Sequence, residues 1–162
     1  MRAAVDATHH GFDSMVAGLA AAAESGRGGR WLDRTFALHA RHRGNGVGYD
    51  SICAAGDHAN TLHWIKNTGE VRDGDLVLID AGVEVDSLYT ADITRTLPVS
   101  GTFSDAQREV YEAVFAAQEA GHHTVLRGGD LLLHLHRFQN EQCGSSFDRL
   151  ARLHEDADNF PS

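Results

Sequence analysis

Two aspartates stand out by their setting. In "DLVLIDAGVEVDSLYTADITR" (residues 75–95), Asp80 follows the four apolar residues Leu76 to Ile79, and Asp92 lies twelve positions further on. A carboxylate buried without a partner costs several kcal/mol or takes up a proton, so Asp80 calls for a cation. If the two aspartates sit on adjacent strands of a hairpin, their oxygens converge, and converging carboxylates repel unless a proton or a metal ion lies between them. Spacing alone leaves a plainer arrangement open, in which Asp80 caps a turn with Ala81 and Gly82 while Asp92 takes a surface position beside a basic side chain.

The elements that must position these residues follow from pattern and punctuation. Residues 2–24 are rich in alanine, with Ala4, Val5, Phe12, Val16 and Leu19 at helical spacing, which predicts one helix ended by "GRGG". "RWLDRTFALHARHRG" predicts a second, amphipathic helix carrying Trp31, Leu32, Thr35, Phe36 and His39 on one side and stopping at Gly44. From Asn45 the texture changes to short β-branched and aromatic segments. "VGYDSICA", "TLHWI" and "DLVLIDAG" read as strands between the turn-rich pieces "AAGDHAN" and "NTGEVRDG". Leu76 to Ile79 does not alternate, which predicts burial on both faces. The next strand, about residues 86–97, alternates and places Asp92 in a row with Leu88, Thr90, Thr94 and Thr96. Ser104 and Gln107 form a capping box ahead of "DAQREVYEAVFAAQEAG", a helix expected to end near Gly121.

Composition narrows the function classes. A chain of 162 residues, 42% of them apolar, is long enough for one domain with a real core. A net charge of -9 without a basic patch argues against nucleic acid as a partner. The apolar run Met15 to Ala23 falls well short of the ~20 residues of a membrane helix. Its acidic flanks Asp6, Asp13 and Glu24 are wrong for a secretory signal. Cys53 and Cys143 show no CxxC spacing and suggest neither a disulfide framework nor a thiolate zinc site, so a reducing cytoplasm is the expected compartment.

More specific information lies in a longer stretch, "LHWIKNTGEVRDGDLVLIDAGVEVDSLYTADITRTLPVSGTFSDAQREVYEAV". With it, residues 3–121 resemble the catalytic domain of the aminopeptidase P and prolidase family of metallopeptidases. The resemblance implies an α+β fold, the first half of a pita-bread domain, with helices packed on a mostly antiparallel curved sheet. It implies hydrolysis of the first peptide bond in peptides with proline at the second position, at a dinuclear centre usually holding Mn2+, with Zn2+ or Co2+ as alternatives. It assigns Asp80 and Asp92 as metal ligands, Asp92 being the bridge, and His63 as a catalytic histidine that lies near the substrate without ligating. Thr94 and Arg95 would orient Asp92. Many members separate the two aspartates by one residue fewer, which predicts a longer or bulged hairpin here.

The family's remaining ligands, a histidine and two glutamates, belong to the second half of its domain. The residues after Gly121 show no such segment. "DLLLHLHRF" and "SSFDRLARLHEDA" read as helices, and His122, His123, His134, His136 and His154 read as packing or surface residues, as do His9, His10, His39, His42 and His58. The expected division is therefore residues 1–121, the N-terminal half of the catalytic domain, and residues 122–162, a non-family tail arising from a frameshift or a truncated gene fragment. Such a chain is expected to be inactive alone. The competing expectations are a non-enzymatic peptide-binding or scaffold module, an Xaa-Pro dipeptidase, and a site completed by a second polypeptide. Many relatives dimerise, so a homodimer is among the expected assemblies.

Overall fold

The computed structural model describes residues 1–126, with side chains through Gly121. The helices expected in the tail, with His134, His136 and His154, lie outside the described residues, as do the side chains of His122 and His123. Two compact units are present, Met1–Thr102 and a second beginning at Phe103. The first unit orders its elements as α1 (Arg2–Ala17), α2 (Leu19–Glu24), α3 (Gly28–Arg43), β1 (Gly46–Val47), β2 (Ile52–Ala55), a 3-10 turn (Gly56–Asn60), β3 (Leu76–Ala81), β4 (Val83–Glu84) and β5 (Ile93–Pro98). The second contains α4 (Asp105–Leu126).

The single N-terminal helix expected from composition is broken at Gly18, where the Trp31 indole packs in the space a Cβ would take. Its buried face also differs from the expected one. Ala4, Ala7, Thr8, Gly11, Phe12 and Met15 are buried, whereas Val5 and Val16 face solvent. Small residues at positions 4, 7, 8 and 11 let α1 lie close to α3, where Leu32, Phe36 and Ala40 are buried. Phe12 and Phe36 meet edge to face at 6.1 Å.

Strands β2, β3 and β5 form an antiparallel sheet in that order, and β1 pairs antiparallel with β4. Helices on antiparallel strands give the expected α+β class. The core lies between α1, α3 and one face of the sheet, which contributes Cys53, Ala55, Val77, Ile79 and Ala81. The expectation that Leu76 to Ile79 is buried on both faces is incorrect. Burial alternates along β3, with Val77, Ile79 and Ala81 inside and Leu76, Leu78 and Asp80 half-buried on the other face. The helices cover one side of the sheet, so a continuous apolar run does not require two covered faces.

In the second unit, the Ser104 and Gln107 capping box forms as expected. The Gln107 amide N–H donates to Ser104 Oγ (3.3 Å) and the Ser104 amide N–H to Gln107 Oε1 (3.0 Å). The helix runs through Gly121 to Leu126, since one glycine costs a helix only about 1 kcal/mol and does not itself end it. Among the described residues no helix is long and apolar enough to cross a membrane.

Candidate metal centre

The β3–β5 hairpin brings the two aspartates together. Asp80 lies within β3 opposite Thr94, and Ala81 lies opposite Ile93. Further out, Glu84 bridges to Thr90 in the same register, which puts Gly82 across from Asp92. Side chains alternate faces along each strand, so Asp80, Asp92 and Thr94 share one face. Asp80 is therefore a strand residue and not a turn cap, while Asp92 is exposed, as the plainer arrangement expects. The constant register shows no bulge between the strands that carry the aspartates, and the chain reverses at the tip. There the Val85 carbonyl accepts the Leu88 N–H (2.7 Å) and the Val85 N–H donates to the Tyr89 carbonyl (3.1 Å). Leu88 takes the left-handed position (φ 62°) of a three-residue hairpin loop.

A third residue joins the pair. The Gly48 N–H donates to the Gly82 carbonyl (2.8 Å), and a side chain at Gly48 would strike Thr90 while one at Gly82 would strike the Ala91 carbonyl. This close approach lays Tyr49 across the hairpin. Its hydroxyl donates to Asp80 Oδ1 (2.7 Å) and Asp92 Oδ1 (3.1 Å), so one proton is shared between two carboxylates. Burial first, then the bond to and charge of Asp80, then those of Asp92, push the phenol's ionisation far above its ordinary range. Tyr49 thus remains a donor throughout neutral pH. Sequence reasoning treated Tyr49 only as a strand residue, because its partners lie 31 and 43 positions away.

The other assigned residues are placed differently from expectation. His63 is not in a strand. It occupies an exposed turn with a left-handed backbone (φ 55°), and left-handed residues at His63, Asn67 and Gly69 cannot propagate an extended strand. Among the described residues no hydrogen bond links His63 to either aspartate. Arg95 lies on the opposite face from Asp80, paired with Ile79, and donates to the Thr94 carbonyl (2.7 Å). Its hydrogen bond therefore steadies the strand next to Asp92 and does not reach the Asp92 carboxylate.

The donor set suits a hard divalent cation in part. Two carboxylates on one face offer up to four oxygens with a single phenol proton between them, an excess of acceptors that a cation would satisfy. Among the described residues no group of three or more His, Cys, Asp or Glu side chains is placed to hold a metal ion. Asp80 and Asp92 therefore fit as two ligands of a larger site.

The sequence pattern of metallopeptidase family M24 matches residues 1–141. The chain is 59% identical over 128 residues to Xaa-Pro aminopeptidase 2 of Streptomyces coelicolor, covering 79% of this chain and 27% of that protein. It is 46% identical over 91 residues to Xaa-Pro aminopeptidase of Haemophilus influenzae, covering 56% of this chain and 21% of that one. Among solved structures it matches Escherichia coli aminopeptidase P with the inhibitor Pro-Leu at a TM-score of 0.63 and 35% identity, over 75% of this chain and 27% of that chain. A zinc-substituted form of the same enzyme in complex with product matches at a TM-score of 0.63 and 36% identity, with the same coverage. The chain spans 27% or less of the length of these relatives. Its fold is that of the N-terminal part of the pita-bread domain they share.

Proposed function

Because the chain belongs to metallopeptidase family M24, we propose that it supplies part of the active site of a metal-dependent aminopeptidase. That enzyme releases the N-terminal residue of peptides with proline at the second position. The observation that carries this reading is the convergence of Asp80 and Asp92 on one phenol hydroxyl, and the names of the Xaa-Pro aminopeptidases it resembles support the substrate class.

Asp80 and Asp92 would hold the cation, with Mn2+ foremost and Zn2+ or Co2+ as alternatives, and Asp92 would be the carboxylate shared between two ions. When bound, the metal supplies Lewis acidity, lowering the pKa of an attacking water and stabilising charge on the scissile carbonyl oxygen. Tyr49 keeps its proton and fixes one oxygen of each carboxylate, leaving the other oxygens to ligate. His63 stands beside the substrate as a hydrogen-bonding group and does not ligate. A complete centre takes further ligands from outside the described residues, and because residues 122–162 show none of the family's ligand segments, the 162-residue chain alone is expected not to turn over substrate.

Replacement of the matching segment of the Streptomyces coelicolor enzyme by residues 1–121 tests this reading. The chimera is expected to cleave an Xaa-Pro peptide with Mn2+ and to lose that activity as Asp92→Asn. A folded chimera that is inert with both aspartates intact would overturn the proposal. In the chain alone, calorimetry should show weak Mn2+ binding that disappears in Asp92→Asn.

A further inference from the structure

The loop between β2 and β3 contains an unusual concentration of left-handed backbone, at Gly56, His63, Asn67, Gly69 and Gly74. A non-glycine residue in that region persists only where its surroundings fix it. At Asn67 the restraint is visible, because its side-chain amide donates to the Ser51 carbonyl and accepts the Cys53 N–H, both at 2.8 Å and both buried. At His63 no such bond is seen among the described residues. The His63 side chain is exposed, and its carbonyl accepts the N–H of Ile65, two residues on (2.7 Å).

What restrains His63 is its neighbour. The Trp64 ring stacks on the His58 imidazole with centroids 4.1 Å apart and planes inclined by 13°. Trp64 Nε1–H donates to the Thr68 carbonyl (3.1 Å), and the Lys66 ammonium lies 5.7 Å from the ring centroid. At the edge of its ring His58 lies against Gly69, where a Cβ would stand 2.6 Å from Nδ1. Gly69, at φ 111°, meets two demands at once, the backbone angle and the space for the imidazole. The 3-10 turn that carries His58 is itself closed onto the start of the His63 turn, since the Thr61 N–H donates to the His58 carbonyl (3.0 Å).

We propose that His58 is a positioning residue for His63: set edge-on against Gly69 and stacked on Trp64, its ring is the wedge that holds the loop in the left-handed turn that presents His63. The functional part of this inference rests on the reading of His63 as the group beside the substrate, while the conformational part stands without it. An aromatic plane at position 58 is the required chemistry, and a charge is not.

NMR of the 162-residue chain, without metal or substrate, tests the conformational part. His58→Ala should move the His63 ring resonances and the Trp64 indole N–H. It should also raise amide exchange across residues 61–66 by about 2- to 10-fold, the range expected for loss of one stacked pair, while the amides of α3 and β3 keep their protection. His58→Phe should restore both signals. Unmoved His63 resonances in His58→Ala, or a shift that His58→Phe fails to reverse, would overturn the wedge. In the chimera, the same two variants should lower and restore kcat while leaving Asp92-dependent Mn2+ binding intact. A chimera inert in every form, with the NMR result as expected, would count against the proposed function and leave the wedge standing.

Discussion

The hairpin that carries Asp80 and Asp92 and the loop that carries His63 lie in the same unit but are fixed by different means. In the hairpin, register does the positioning. Main-chain pairing from Leu76 opposite Pro98 to Ala81 opposite Ile93 determines which side chains share a face, and Tyr49 adds one hydroxyl. In the loop between β2 and β3, individual side chains do it, with Asn67 tying the backbone to β2 and His58 stacked on Trp64. A ladder distributes its restraint over many bonds, whereas a loop concentrates it in two or three residues. Damage to each should therefore stay local and differ in kind.

The largest effect is expected at Asn67. Asn67→Ala leaves the buried Cys53 N–H and Ser51 carbonyl unpaired, and should cost about 2 to 4 kcal/mol in urea unfolding. It should release the His63 turn while Asp80 and Asp92 stay paired, as judged by amide exchange. Gly82→Ala addresses the other side of the comparison. Its methyl group meets the Ala91 carbonyl, so about 1 to 3 kcal/mol should be lost. Mn2+ binding should weaken with it while the His63 and Trp64 resonances hold still. If either variant disturbs both regions equally, the distinction between ladder and loop fails.

Tyr49→Phe sharpens the comparison within the hairpin. At neutral pH it should cost about 1 to 2 kcal/mol through the lost hydrogen bonds to the carboxylates. The phenol's folded pKa lies above its unfolded one, so above about pH 10 the unfolded chain loses a proton that the folded chain keeps. Stability of the parent protein should therefore fall as pH rises through that range, and that part of the slope should be absent in Tyr49→Phe. The smallest effect concerns Asp33, beside Asn67. Burial raises its carboxyl pKa, against the lowering influence of Arg34, with Asp50 adding to the rise and the hydrogen bond from Asn67 opposing it. The folded state then binds the extra proton, so stability should decline as pH rises from about 4 upward. Asp33→Asn should flatten that decline in urea midpoints.

The same contrast explains what could be read from sequence. Asp80 and Asp92 were legible because alternation along "ITRT" and the buried strand before it are local signals, and their meeting follows from pairing one with the other. The threonine-rich row with Asp92 and the Ser104 capping box were legible for the same reason. "TLHWI" misled, because β-branched and aromatic residues mark a strand only when the backbone is free to extend, and here the stack of Trp64 on nearby His58 and the anchoring of Asn67 to Ser51 and Cys53 hold a turn. Tyr49 stayed hidden since its role depends on Gly48 and Gly82 bringing chain segments together across more than thirty residues. The need for glycine at position 18 was invisible for a similar reason, as it arises from the Trp31 indole packed against it.

One contact in the core bears on how this unit is assembled. The Val83 N–H donates to the buried hydroxyl of Thr8 (2.9 Å), 75 residues earlier. Closing a segment of that length costs conformational entropy that only later burial returns. The hairpin and α3 can form from nearer neighbours, but α1 is sealed onto the strands only when nearly the whole unit has been made. Phe12 can meet Phe36 as soon as α3 is present, so α1 is held first by a neighbouring helix and gains its bond to the strands only once β4 is in place.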